Sequence, residues 1–250
     1  MTKHFAVLGS PIAHSKSPQI HSFVFRQTNF DADYERFEVA EDLAKFLAGH
    51  DDFSGFSLTM PLKEQAFDIA ESLDVDARAT EAVNTLLRTD TGWAGFNTDV
   101  AGIRGAVGFD PTTVAVIGSG ATARSALQAF PNSKRLIYAR NTKAAELLAE
   151  KFAAELADFD KALEAGLLIS TVPTGVLPEL LQGRTVPGVL LDCVYTNPEL
   201  PAKKYLSGVS MLVHQAMIQQ RIFQTGDALT PINREQELVS ELLALLSMAK

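Results

Sequence analysis

The chain has 250 residues, 46% hydrophobic and 21% charged, as expected of a soluble globular protein with room for one large or two small domains. With 22 basic against 30 acidic residues, the net charge of −8 excludes the broadly basic surface that nucleic acid or an anionic membrane requires, so neither is expected as a partner. A single cysteine, Cys193, excludes an internal disulfide and reads as a small buried strand residue.

The N-terminal apolar run stops at Gly9 and Ser10. It is too short for a signal peptide or a membrane span, and the expected location is the cytoplasm. Phe5-Ala6-Val7-Leu8 reads as a strand, and Pro18 to Phe30 as a helix entered through Ser17, with proline at its first position. Tyr34 to Val39 is strand-like, Asp42 to Ala48 helical and Phe53 to Leu58 a strand. Pro61 opens a helix that carries Lys63. Strands at Thr85 to Arg88 and Trp93 to Phe96 precede a helix that begins near Asp99.

A second series starts at Thr113. The continuous apolar run Val114-Ala115-Val116-Ile117 predicts a strand buried on both faces. Ala121 to Phe130 is helical, Arg135 to Ala139 a strand, Ala144 to Ala157 helical, and Leu167 to Ile169 and Val189 to Asp192 are strands. Helices over Val213 to Gln224 and Glu235 to Met248 end the chain. This alternation predicts an α/β fold with parallel sheets covered by helices, divided around residues 100–112. The terminal helices fit either lobe.

The segment Gly118-Ser-Gly120-Ala121-Thr-Ala123 matches G-x-G-x-x-A between a strand and a helix. The first glycine permits a tight turn. The second lets the backbone approach a pyrophosphate, and the small third residue lets helix and strand pack closely. The unpaired N–H groups of the helix start then face an anion. About twenty residues on, Tyr138-Ala139-Arg140-Asn141-Thr142-Lys143 lacks the acid that would accept from the ribose hydroxyls of NAD. Arg140 and Lys143 suit a 2′-phosphate instead, so NADP is expected and NAD disfavoured.

Three polar clusters interrupt the first lobe after its strands: His14 to Pro18, Ser57 to Glu64, and Ala82 to Thr85 with Gly95 to Asp99. Open α/β sheets gather ligands at such places. Taken singly, Ser17 also fits a helix cap, Lys63 a surface lysine, and Asn84 and Asn97 turn residues.

In order, S-x-S-P, T-x-P-x-K, A-V-N-T, N-T-D, G-x-G-x-x-A and M-L-V-x-Q-A resemble the shikimate dehydrogenase family over nearly the whole chain. Ser170 to Gly175 and Asp192 to Pro198 resemble its later cofactor-side loops. The resemblance implies an N-terminal α/β substrate lobe over 1–100, to which helices of about 226–250 return. It implies a Rossmann-like, doubly wound parallel-sheet lobe for NADP over 101–225.

It further implies that Ser15, Ser17 and Tyr195 meet a ring carboxylate, and that Thr59, Asn84, Asp99 and Gln215 line the ring hydroxyls. Lys63 and Asp99 would form the catalytic pair. Gly118, Gly120, Ala121, Ala123 and Thr171 would hold the pyrophosphate side, and Arg140 with Lys143 the adenosine phosphate. No metal is expected, and the assembly would be a monomer or homodimer.

The chain departs from the family pattern at Ser57, where asparagine is common and little chemical consequence is expected. It departs also at Ala139 to Asn141, where the usual N-R-T frame is blurred, and at Phe96 and His214 beside the expected substrate residues.

Reduction of a ketone leaves negative charge developing on oxygen, and a lysine, protonated at neutral pH, suits the proton donor. Alternatives are an NAD-preferring quinate/shikimate dehydrogenase, a methylenetetrahydrofolate dehydrogenase, and a catalytically silent dinucleotide-binding regulator. Arg140, the serine pair, and Lys63 with Asp99 argue against them in turn.

Overall fold

The computed structural model describes residues 1–195 and 198–247. Its contacts divide the chain into two compact units, one of Met1–Thr98 with Gln215–Lys250 and one of Asp99–His214.

In the first unit, β1 (Lys3–Gly9), β2 (Ala32–Glu38), β3 (Phe53–Leu58), β4 (Ser72–Leu73), β5 (Thr85–Arg88) and β6 (Trp93–Phe96) form one sheet. Their order is β2-β1-β3-β5-β6-β4. The intervening helices are α1 (Ser17–Thr28), α2 (Leu43–Ala48), α3 (Lys63–Ile69) and α4 (Val75–Thr80). β1 has a parallel neighbour on each side. The two-residue side-chain period sends Phe5 and Val7 to one face, where they pack with Phe25, Ile222 and Phe223. Ala6 and Leu8 point to the other face and join Leu43, Leu47 and Phe56. A strand buried on both faces needs apolar residues in succession, hence the unbroken run over residues 5–8.

The second unit begins with α5 (Asp99–Val107). Next come β7 (Thr113–Ile117), α6 (Ala121–Ala129), β8 (Lys134–Tyr138), α7 (Thr142–Lys151) and β9 (Glu155–Leu156). They are followed by α8 (Phe159–Leu163), β10 (Leu167–Ser170), α9 (Val176–Leu181), β11 (Val186–Asp192) and β12 (Ala202–Ser207). The six strands run parallel in the order β12-β11-β10-β7-β8-β9. This is the doubly wound arrangement, with its order reversing beside β7. Val114 and Val116 enter one core layer with Leu127, Ile137 and Leu148. Ala115 and Ile117 enter the other with Phe159 and Leu177.

Two helices complete the chain, α10 (Gly208–Thr225) and α11 (Glu235–Ser247). Arg221 on α10 grips Glu235 on α11 with two hydrogen bonds, of 2.8 and 2.5 Å, and both side chains are largely buried. Such a bidentate pair fixes geometry as well as contributing energy.

The structure corrects the sequence reading in several places. The first sheet is mixed, because β5 runs antiparallel to both β3 and β6. Only a short turn joins β5 to β6, and so short a link cannot reverse the chain into a parallel pair. Residues from Gln215 onward belong with the first unit, whereas 101–225 was expected to stay together. The reason is packing: Ile218, Ile222 and Phe223 lie against Phe5 and Phe25. Ser17 is already helical, with Lys16 as the cap residue and no side-chain cap bond, so it does not cap α1. Pro61 precedes α3 in a turn after a cis Met60-Pro61 bond, and Lys63 is the first residue of the helix.

The helix expected over 144–157 ends at Lys151, and Glu155-Leu156 form an edge strand. Met248, where the last helix was expected to end, and Thr196 and Asn197 lie outside the described residues.

Candidate active site

The glycine turn of the second unit has the geometry its sequence requires. Gly118 has φ +118°, a left-handed conformation that disfavours side chains, and its N–H donates to the Tyr138 carbonyl at 2.8 Å. A Cβ there would lie 2.4 Å from Thr171 Oγ1. Both the N–H and the hydroxyl of Thr171 donate to the Ile117 carbonyl at 2.9 Å, which draws the loop after β10 against the turn. At Gly120 a Cβ would meet nothing within 4 Å, so the space outside the backbone is open. Gly120 is the N-cap of α6 without a side-chain cap bond, and Ala121 is the first residue of that helix. The first-turn N–H groups of α6 have no intrahelical acceptor. Ala123 is fully buried in the core beneath.

Arg140, exposed just beyond β8, lines a cavity of about 340 Å³ with Phe159, Asp160, Val176, Glu179, Leu180, Gln182 and Arg184. Asn141 caps α7 by accepting from the Ala144 N–H at 3.1 Å, which fixes the backbone beside Arg140. Lys143 is exposed in the first turn of α7. Gly175, at φ +87°, opens α9 on the cavity's far wall. Sequence reasoning missed the walls supplied by α8 and α9, helices of 5 and 6 residues that are too short for a helical period to register.

In the first unit, three segments are tied together by backbone bonds. The Thr59 N–H donates to the Leu8 carbonyl at 2.9 Å, the Leu58 N–H to Asn84 at 2.7 Å, and the Val83 N–H to Lys63 at 2.9 Å. Gly9 allows this closeness, since a Cβ there would lie 2.3 Å from Thr59 Cγ2. Thr59, Lys63 and Asn84 are thereby brought to one end of the sheet. Lys63 and Thr59 are half-buried and Asn84 is buried.

The Asn84 amide is held at both ends. Its Oδ1 accepts from the Thr98 N–H at 2.9 Å and the Thr85 hydroxyl at 2.8 Å. Its Nδ2 donates to Thr98 Oγ1 at 2.9 Å and reaches Gln215 Oε1 at 3.4 Å. Ser15 lies in the β1–α1 loop, where its hydroxyl accepts from the Ser17 N–H at 3.3 Å. Ser17 itself is buried.

Asp99, almost fully buried, is the first residue of α5 in the second unit, and Tyr195 lies half-buried just after β11 in that same unit.

A buried polar chain behind Asn84 was not foreseen. His21 stacks on Tyr34, with ring centroids 4.2 Å apart, and touches Gln219 and Gln220 at 3.1 and 2.7 Å. Tyr34 donates to Ser57 at 2.6 Å, and Ser57 to Gln219 Oε1 at 3.0 Å. Ser57, expected to matter little, is thus a buried link. Burial holds the His21 imidazole neutral by lowering its pKa to about 3, against a smaller opposing effect of the Gln219 bond. The available signal was spacing: Ser17 with His21, and Gln215 with Gln219, are i,i+4 pairs on single helix faces.

A doubly wound parallel sheet, with a glycine turn opening the helix after its first strand, defines a dinucleotide-binding protein of the Rossmann class. A family profile described as the shikimate dehydrogenase substrate binding domain matches residues 7–86. The chain is 30% identical to shikimate dehydrogenase (NADP(+)) of Ignicoccus hospitalis, covering 88% of this chain and 92% of that protein. It is 34% identical to the protein of the same name from Janthinobacterium sp., covering 86% and 89%.

Among solved structures, Mycobacterium tuberculosis shikimate dehydrogenase superposes with TM-score 0.85 at 34% identity, over 97% of this chain and 99% of that one. The Thermus thermophilus shikimate 5-dehydrogenase, solved in complex with NADP(H) and shikimate, gives TM-score 0.82 at 28% identity over 97% and 99%. The chain belongs to the shikimate dehydrogenase family. Among the described residues, no helix is long and apolar enough to cross a membrane.

Proposed function

We propose that the chain is an NADP-dependent oxidoreductase acting on a CH–OH group, reversibly reducing 3-dehydroshikimate to shikimate in aromatic amino-acid and chorismate biosynthesis. The observation that carries this reading furthest is the open space at Gly120, at an uncapped helix start, in a protein whose relatives bear that name.

The residues of the second unit fit the cofactor. Gly118, Gly120 and Ala121 offer backbone N–H groups to the pyrophosphate. Ala123 keeps helix and strand close, and Thr171 braces the turn. The exposed guanidinium of Arg140 matches the fork geometry of a 2′-phosphate, with Lys143 in the first turn of α7 a second positive charge. When bound, NADPH supplies the hydride that reaches the substrate's carbonyl carbon.

The chain's own residues do the rest. Ser15, Ser17 and Tyr195 donate hydroxyl hydrogen bonds to the ring carboxylate. Thr59, Asn84 and Gln215 hold the ring hydroxyls, Asn84 through an amide whose orientation its neighbours fix. Lys63 Nζ gives a proton to the oxygen as negative charge develops there, and in the reverse direction takes it back. Asp99 is the second catalytic residue of this reading, a carboxylate that accepts from a ring hydroxyl.

Turnover of purified protein with shikimate or quinate, each with NADP⁺ or NAD⁺, tests the reading. Shikimate with NADP⁺ is expected to give the highest kcat/KM. Preference for quinate or for NAD⁺, or no turnover with any pair, would overturn it.

A further inference from the structure

We infer that Gln219 is a positioning residue which, through Thr85, reinforces the amide polarity of Asn84 that the Thr98 N–H also sets, and so keeps the NH₂ edge of Asn84, whose contact with Gln215 is the long one at 3.4 Å, as the edge turned to the substrate. This rests on the reading that Asn84 binds a ring hydroxyl.

The proton positions follow from one unambiguous group. The Asn84 backbone carbonyl can only accept, and it lies 3.2 Å from Gln219 Nε2, so that atom is the amide NH₂. The same NH₂ donates to Thr85 Oγ1 at 2.9 Å. With its oxygen already accepting, Thr85 turns its own proton to Asn84 Oδ1, 2.8 Å away. The Thr98 backbone N–H, which can only donate, meets that same Oδ1 at 2.9 Å. Two independent donors therefore agree that the Asn84 oxygen points inward and its NH₂ points toward Thr98 Oγ1 and Gln215.

The other end of Gln219 is fixed just as firmly. Its Oε1 can only accept, so His21 donates from Nε2 at 3.1 Å and Ser57 donates at 3.0 Å. His21 Nδ1 is then the acceptor of the Gln220 NH₂ at 2.7 Å. Every member of the chain is satisfied in one direction only. A flip of Gln219 would set its oxygen against the Asn84 carbonyl and its NH₂ against two donors, in a buried site where unmade bonds are costly. The alignment of Asn84 is consequently set by the Thr98 N–H and, from the α10 face, by Gln219 through Thr85, rather than chosen by the ligand.

Three variants test this: Gln219→Met, which keeps the length without the amide; Thr85→Val, which is near-isosteric without the hydroxyl; and Asn84→Ala. Gln219→Met and Thr85→Val are each expected to raise KM for shikimate roughly 3- to 10-fold, the scale of one hydrogen bond. The dissociation constant for NADP⁺ should be unchanged. In the Asn84→Ala background, neither should raise KM further. Should Gln219→Met fail to fold, Thr85→Val carries the test.

If Asn84→Ala alone leaves KM unchanged, the ligand role of Asn84 fails and the inference with it. If Asn84→Ala raises KM but the other two do not, the positioning role alone is overturned. Effects that multiply in the double variants would mark a purely structural contribution and likewise overturn it.

Discussion

The His214 imidazole lies directly over Gly105 of α5: a Cβ at position 105 would come within 2.6 Å of the ring's Cγ and 2.7 Å of Nδ1. The glycine makes room for a ring at a position where a small residue is common in the family. Burial of that ring lowers the histidine's pKa.

Gly105→Ala is therefore expected to destabilise the protein by about 1–3 kcal/mol, the usual cost of overpacking, although alanine favours helices. Combined with His214→Ala the same substitution should become neutral or stabilising. Urea unfolding of the two single variants and the double variant measures this, and additive losses would contradict the steric coupling.

His21 gives a pH dependence of known sign. Its folded pKa is near 3 against an ordinary 6.5, because burial among Tyr34, Phe25, Phe223 and two neutral amides penalises the charged ring. Above about pH 6.5 the ring is neutral in both folded and unfolded chains and contributes no dependence. As the pH falls below that, the unfolded chain takes up a proton that the folded chain refuses. Stability is then lost at a slope approaching about 1.4 kcal/mol per pH unit, until the folded pKa is reached. Between about pH 7.5 and pH 5, wild type should lose about 2 kcal/mol more than His21→Gln. Equal losses in chemical denaturation would remove His21 from the acid response.

Arg140→Leu should lower kcat/KM with NADPH roughly tenfold or more and leave NADH use nearly unchanged, because only the former has a 2′-phosphate for the guanidinium. Parallel steady-state kinetics with the two cofactors decide it. An equal loss with both would assign Arg140 to the adenosine as a whole.

The two serines should separate. Ser17 does not cap α1, so Ser17→Ala should raise shikimate KM with little change in stability. Ser15→Ala should raise KM and also loosen the loop, since the Ser15 hydroxyl accepts the Ser17 N–H. Calorimetric binding with thermal unfolding on both variants checks the contrast.

Much of this was legible because the responsible physics is local. The strands over Phe53–Leu58, Thr85–Arg88 and Trp93–Phe96 carry apolar runs between turn residues, and the structure places them at those bounds. The turn from Gly118 to Ala123 is readable because the backbone conformation and close packing it imposes leave few residue choices. The direction of β5 was not readable, since an apolar run says nothing about its pairing partner. Nor was the assignment of Gln215–Thr225, which depends on where Ile222 and Phe223 find Phe5. Edge strand β12 carries two lysines and lacks an apolar run, so nothing marked it. The chain from Tyr34 through Gln219 to Asn84 spans segments far apart in sequence, and only folding brings its polar groups into register.

The proton-transfer role proposed for Lys63 is tested most directly by the kcat of Lys63→Met for shikimate oxidation, with folding followed by circular dichroism and NADPH binding by titration. Lys63 is the first residue of α3 and its carbonyl is anchored by the Val83 N–H, so the apolar replacement should fold normally. Loss of an interaction that strengthens as charge develops should fall on kcat more than KM, by roughly 10²- to 10⁴-fold. A folded, NADPH-binding Lys63→Met protein that oxidises shikimate near the wild-type rate would contradict the assignment.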